Sequence, residues 1–120
     1  MNRVMIVDDA AFMRLSIRQI LEKNGFEVIA EASNGQEAIT KYFECKPDLV
    51  TMDISMPVLG GIEAVKQICT KDKSAKVIMV SAMGQESIVR DAIINGAKSF
   101  VVKPFKELQV IETLNQVANI

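Results

Sequence analysis

The sequence predicts an α/β fold, a mostly parallel β-sheet covered by helices on both faces. Three observations carry that expectation. Five short apolar runs rich in β-branched residues recur along the chain, and the segments between them have helical periodicity. Hydrophobic residues make up 49% of the 120 positions, enough for one compact domain with a real core. The first run begins at Arg3 and the last helical segment reaches Ala118 with no Pro- or Ser-rich linker between them, so one domain over residues 1–120 is expected.

The predicted strands are RVMIV from Arg3, EVIAE from Glu27, DLVTM from Asp48, KVIMV from Lys76 and SFVV from Ser99. Runs this apolar suit strands buried on both faces. In the first helical segment Phe12, Leu15, Ile20 and Leu21 alternate with Arg14, Arg18 and Glu22, and Gly25 stands where a C-terminal cap would. The second opens at Asn34 with Glu37 three residues later, a capping-box spacing, and then sets Ala38, Ile39, Tyr42 and Phe43 on one side. The third runs from about Ile62 to Thr70. The fourth runs from about Glu86 to Asn95 and stops at Gly96, and the last covers roughly Glu107 to Ala118.

Fourteen basic residues against fifteen acidic ones leave a formal net charge of −1. No basic stripe predicts a nucleic-acid face, and no Lys/Arg cluster predicts an anionic membrane as partner. The apolar runs are strand-sized, too short to span a bilayer, and the start lacks the layout of a signal peptide, so a cytoplasmic protein is expected. Cys45 and Cys69 fit no metal spacing and are expected to be small core residues. The chain has no histidine. That excludes Ser-His-Asp and Cys-His catalysis, His-ligated zinc and any phosphohistidine on this chain.

What chemistry is left lies at the strand ends. Asp8 and Asp9 follow the first strand directly, although adjacent carboxylates repel and lose hydration when partly buried. In open α/β sheets, sites form at the carboxyl ends of strands. The third strand ends at Asp53, the fourth at Ser81-Ala82 and the fifth at Lys103-Pro104. Three carboxylates without histidine or thiolate suit Mg²⁺ or Mn²⁺. A carboxylate beside such an ion can be phosphorylated to an acyl phosphate. A lysine then acts as a point charge on the phosphoryl oxygens, and a serine hydroxyl can donate to one. A single Asp here would read as a helix cap, and Ser81 or Lys103 alone as a surface residue; their convergence favours a site. The Lys103-Pro104 bond can be cis and so aim the lysine inward. The loop ISMPVLGG, with Pro57, Gly60 and Gly61, reads as sharp-turn chemistry.

Taken in order, VDD at 7–9, DLVTMDISMP around Asp53, GG ending at Gly61, VSA at 80–82 and KPF at 103–105 resemble the receiver domain of two-component response regulators over essentially the whole chain. The resemblance is to a stand-alone, chemotaxis-type (CheY-like) receiver. It implies a doubly wound, flavodoxin-like five-stranded parallel sheet of order 2-1-3-4-5 with five helices. It implies a signalling switch rather than an enzyme, phosphorylated on Asp53 by a CheA-like histidine kinase. Asp9, Asp53 and the backbone carbonyl of Ser55 would bind Mg²⁺, with Asp8 assisting through water. Ser81 and Lys103 would contact the phosphoryl group, and Phe100 would swing inward when Ser81 moves.

Two departures bear on the switch. Phe100 stands where many chemotaxis relatives carry tyrosine, so switching must rest on packing. Ser55 stands where some relatives carry asparagine, at the position facing the hydrolytic water. The fourth helix carries Ile88, Val89, Ala92, Ile93 and Ile94, an apolar arc wider than one buried stripe needs. An output patch including Val89 and Ile93 is therefore expected, used by a FliM-like flagellar switch protein or another output protein. A phosphatase is a further expected partner, and the chain is expected to be a monomer.

Other readings remain. A receiver of this kind can be a phosphorelay intermediate that passes its phosphoryl group to another protein's histidine, with Arg14 and Arg18 as docking contacts. A phosphatase working through an aspartyl phosphate, of the haloacid-dehalogenase type, needs a second aspartate two residues after the nucleophile, where this chain has Ser55. A flavodoxin-like flavin carrier needs a Ser/Thr/Gly-rich phosphate loop after the first strand, where this chain has acids that would repel the cofactor phosphate.

Overall fold

The computed structural model describes residues 2–120. Strands and helices alternate as β1 (Arg3–Val7), α1 (Ala11–Lys23), β2 (Glu27–Ala32), α2 (Gly35–Cys45), β3 (Leu49–Met52), α3 (Gly61–Lys71), β4 (Val77–Ser81), α4 (Glu86–Ile94), β5 (Ser99–Val102) and α5 (Glu107–Ala118). All strand pairs are parallel, in the order β2-β1-β3-β4-β5. The expected architecture and strand order are both observed.

The pleat divides each strand between two cores. Met5, Val7, Val50, Met52, Val77 and Met79 face α2, α3 and α4, where Ile39, Tyr42, Val65, Ile68 and Ala92 meet them. Val4, Ile6, Leu49, Ile78, Val80 and Val101 face α1 and α5, against Ile17, Leu21, Val110, Leu114 and Val117. Burying each large aliphatic of this kind contributes about 2 kcal/mol. Two buried layers explain why the strands read as unbroken apolar runs.

Local signals hold the helix ends. Asn34 Oδ1 accepts the Glu37 N–H at 2.9 Å, and Glu37 reaches back to the Ser33 N–H at 3.1 Å, a reciprocal cap on α2. Gly25 follows α1 at φ 88° and Gly96 follows α4 at φ 120°, the left-handed backbone that a side chain disfavours.

Two sequence expectations are corrected. Phe12 and Leu15 do not face the core; they are 79% and 52% exposed. At ~100° per residue the stripe that points inward is Met13, Ile17, Ile20 and Leu21, and Phe12 and Leu15 fall together on the opposite side of the helix. Cys45 and Cys69 are only partly buried: Cys45 is the last residue of α2, and Cys69 packs at the edge of the core from the last turn of α3. Lysines scattered along the sequence also gather in space: Lys66, Lys73 and Lys98 line one groove between α3 and the end of α4.

Candidate functional site

The strand ends of β1, β3, β4 and β5 carry the predicted residues to one edge. Asp8, Asp53 and Lys103 each stand one pleat beyond a residue of the α1/α5 face (Ile6, Thr51 and Val101), so their side chains start on the same side. Thr51, between Ile6 and Ile78, keeps a buried hydroxyl without a hydrogen-bond partner among the described residues. Ser81, two residues beyond Met79, belongs to the opposite face, where Phe100 lies across from Met79 and packs on the α2–α4 core.

Asp8 is buried and fully engaged. Its Oδ1 accepts the Ala10 N–H at 2.9 Å, and its Oδ2 accepts from Lys103 Nζ at 2.9 Å. Lys103 Nζ also lies 3.8 Å from Asp53 Oδ1, which accepts the Ile54 N–H at 2.8 Å. The Lys103-Pro104 peptide is cis. Asp9 is exposed at the rim. One carboxylate oxygen from each of Asp8, Asp9 and Asp53 lies within 4.8 Å of the other two. Burial pushes the Asp53 carboxyl above the ordinary aspartate range; Lys103 opposes that rise, and the charges of Asp8 and Asp9 add to it.

The loop between β3 and α3 is folded tightly under this cluster. Gly61 donates its N–H to the Ile54 carbonyl at 2.8 Å, and a Cβ there would overlap the Asp53 carbonyl oxygen. Gly35 donates to Leu59 O at 2.8 Å, and a Cβ there would come within 2.5 Å of the same oxygen. These glycines set the backbone that aims Asp53, a role that turn composition alone does not reveal. Ser55 is exposed, and its hydroxyl donates to Met83 Sδ at 3.2 Å. Ser81 is buried, with Oγ accepting the Met83 N–H at 3.1 Å.

The residues proposed for docking and output divide. Arg14 and Arg18 are held by Glu31 at 2.9 and 2.7 Å, and Arg14 also donates to the Asp8 carbonyl at 2.6 Å. They brace the site rather than present free charges. Ile93 is exposed as expected, but Val89 is half-buried. Ile94, Val102 and Leu108 are also exposed, on α4, β5 and α5. The first of these lay inside the predicted apolar arc; the other two read as a strand residue and a helix residue with no signal of exposure.

Both the sequence and the fold match known proteins. The response regulator receiver domain family matches residues 4–115. Chemotaxis protein CheY of Bacillus subtilis is 58% identical over 118 residues, 98% of each chain. Chemotaxis protein CheY of Thermotoga maritima is 56% identical over 117 residues, again 98% of each chain. The solved CheX–CheY complex with BeF3 and Mg from Borrelia burgdorferi superposes with a TM-score of 0.94 at 42% identity, covering 97% of this chain and 88% of that one. The chain belongs to the response regulator receiver family, as a CheY-like receiver of two-component signalling.

Proposed function

We propose that this chain is a phosphorylation-controlled switch that takes a phosphoryl group onto Asp53 from a phosphohistidine of a CheA-like histidine kinase. The observation that carries this reading is the cluster of Asp8, Asp9 and Asp53 carboxylates with the Lys103 ammonium 2.9 Å from one and 3.8 Å from another. An all-oxygen donor set fits Mg²⁺, with Asp8, Asp9, Asp53 and the Ser55 backbone carbonyl as its candidates. Mn²⁺ fits the same set. When bound, such a cation neutralises the repulsion between the acids and the charge of an incoming phosphoryl group.

The chain's own part in transfer follows from the geometry. An Asp53 carboxylate oxygen attacks phosphorus, the P–N bond to the kinase histidine breaks, and an acyl phosphate remains on Asp53. Lys103 then has two anionic neighbours to choose from, and its pairing with Asp53 strengthens. The Ser81 hydroxyl can turn from the Met83 N–H to a phosphoryl oxygen. Phe100, on the same face one pleat below Ser81, can follow into the space that Ser81 leaves. The exposed apolar residues Ile93, Val102 and Leu108, with Val89 at the edge, form the surface that reads this change, in a FliM-like flagellar switch protein or another output protein.

One observation favours a place for the phosphodonor. Phe12 and Leu15 are exposed at the start of α1, next in sequence to Asp9, and suit an apolar helix pair bearing the donor histidine. A phosphorelay partner would use the same face. Turnover as a phosphatase enzyme lacks support, because the position two residues after Asp53 is a serine whose hydroxyl is bound to Met83. The test is transfer from a histidine kinase labelled with radioactive phosphate. Label should move to the wild-type chain with Mg²⁺ present and not to Asp53→Asn. Label on Asp53→Asn at the wild-type rate would overturn the assignment.

A further inference from the structure

We propose that the groove between α3 and the C-terminal end of α4 is a second docking site, and that its occupant is an acidic protein segment carrying an apolar side chain. The groove has a volume of about 600 Å³. Lys66, Lys73 and Lys98 stand around it, Cys69 and Gly96 form its floor, and Ile94, 75% exposed, lies at its rim. Among the described residues no carboxylate lines it. Among the described residues none of these three lysines enters an ion pair.

Acids on the adjoining segments have other partners, Glu63 among them, which accepts from the Gln67 amide at 3.3 Å. Asp72 accepts from the Tyr42 hydroxyl at 2.6 Å and from Ser74, and Asp91 accepts from the Asn95 amide at 3.0 Å. Three unpaired ammonium groups thus surround one exposed aliphatic side chain on a protein whose net charge is −1. A polyanion is the natural complement of the lysines. An aliphatic side chain in the partner is the complement of Ile94. A nucleic acid fits less well, because the groove offers no aromatic surface for a base to stack on.

Occupancy would bear on α4. That helix buries only Ala92 among its residues, so it is lightly held to the sheet. Its end is instead pinned to α3 through Gly96, where a Cβ would come within 2.6 Å of Cys69 Sγ. A segment lying across Lys66 and Lys98 bridges α3 and the strand entry after α4, and fixes one to the other. The lining of this groove includes none of Ile93, Val102 and Leu108, so one helix would serve two partners.

The test is an NMR titration of the isotope-labelled full chain with a short peptide of equal glutamate and leucine content. The same peptide with lysine for glutamate, and a single-stranded oligothymidylate, serve as comparisons. Saturable shifts should appear over residues 66–73 and 94–98 with the acidic peptide alone. They should weaken about tenfold in the combined variant Lys66→Glu, Lys73→Glu and Lys98→Glu, and should fade as salt rises. Asp53→Asn should bind the peptide like wild type, which separates this site from the phosphorylation reading. No saturable shift, a footprint elsewhere, unchanged binding by the triple variant, or tighter binding of the oligonucleotide would each overturn it.

Discussion

Lys103 Nζ lies 2.9 Å from Asp8 Oδ2, although the two residues are 95 positions apart in the chain. The pair is nearly enclosed, with side-chain exposures of 16% and 3%. Removing one partner from a pair this enclosed leaves an uncompensated charge. Lys103→Met is expected to cost about 3 kcal/mol in urea unfolding without divalent cation, and millimolar Mg²⁺ should restore much of the loss. A stable variant indifferent to Mg²⁺ would show that the lysine is not what balances the acids.

Asp53 sits on the other side of the balance. It is buried beside two like charges, so neutralising it should relieve repulsion rather than break a needed contact. Asp53→Asn is expected to gain about 1 kcal/mol at neutral pH in the absence of metal, at the expense of phosphorylation. Chemical unfolding with and without Mg²⁺ reads both effects, and the difference from wild type should shrink when Mg²⁺ is added. A loss of stability would mean that the attraction between Lys103 and Asp53 outweighs the repulsion among the acids.

Thr51 offers a control inside the same sheet. Its hydroxyl is buried between Ile6 and Ile78 with no hydrogen-bond partner among the described residues. Thr51→Val keeps the shape and removes the unsatisfied group, so thermal unfolding should show a gain of about 1 kcal/mol with phosphorylation unchanged. A destabilised variant would point to a partner for that hydroxyl.

At the far end of the sheet, the Tyr42 hydroxyl donates to Asp72 Oδ2 at 2.6 Å. Hydrogen bonds from Ser74 and then Tyr42 hold the Asp72 carboxyl below the ordinary aspartate range. A depressed acid stabilises the fold above its unfolded pKa, and that stabilisation is lost as pH falls through the folded value. Tyr42→Phe is therefore expected to cost about 1 kcal/mol near neutrality, a figure tempered by solvent around Asp72. The gap from wild type should close as pH drops below the ordinary aspartate range. A pH-independent gap would assign the loss to packing alone.

Much of this molecule was legible in its sequence. The alternation of apolar runs with helical segments gave the fold because each strand is buried on both faces, and β5 and α5 have the boundaries expected of them. The acids and Lys103 were legible because like charges at strand ends have no structural motive. The α1 face was misread, since Phe12 and Leu15 look like core residues until the stripe through Ile17 and Leu21 fixes the rotation. The roles of Gly35 and Gly61 depend on carbonyls of a distant loop, and the Lys66–Lys73–Lys98 groove depends on α3 meeting the end of α4. Both are properties of the packed chain, and no local pattern carries them.

The most direct test of the central claim is the intact mass of the protein after incubation with acetyl phosphate, with Mg²⁺ or with chelator, for wild type and Asp53→Asn. The switch reading requires a gain of one phosphoryl group in wild type with Mg²⁺, absent with chelator and absent in the variant. No gain in any condition, or an equal gain in Asp53→Asn, would contradict it and leave the acid cluster as a metal-holding site alone.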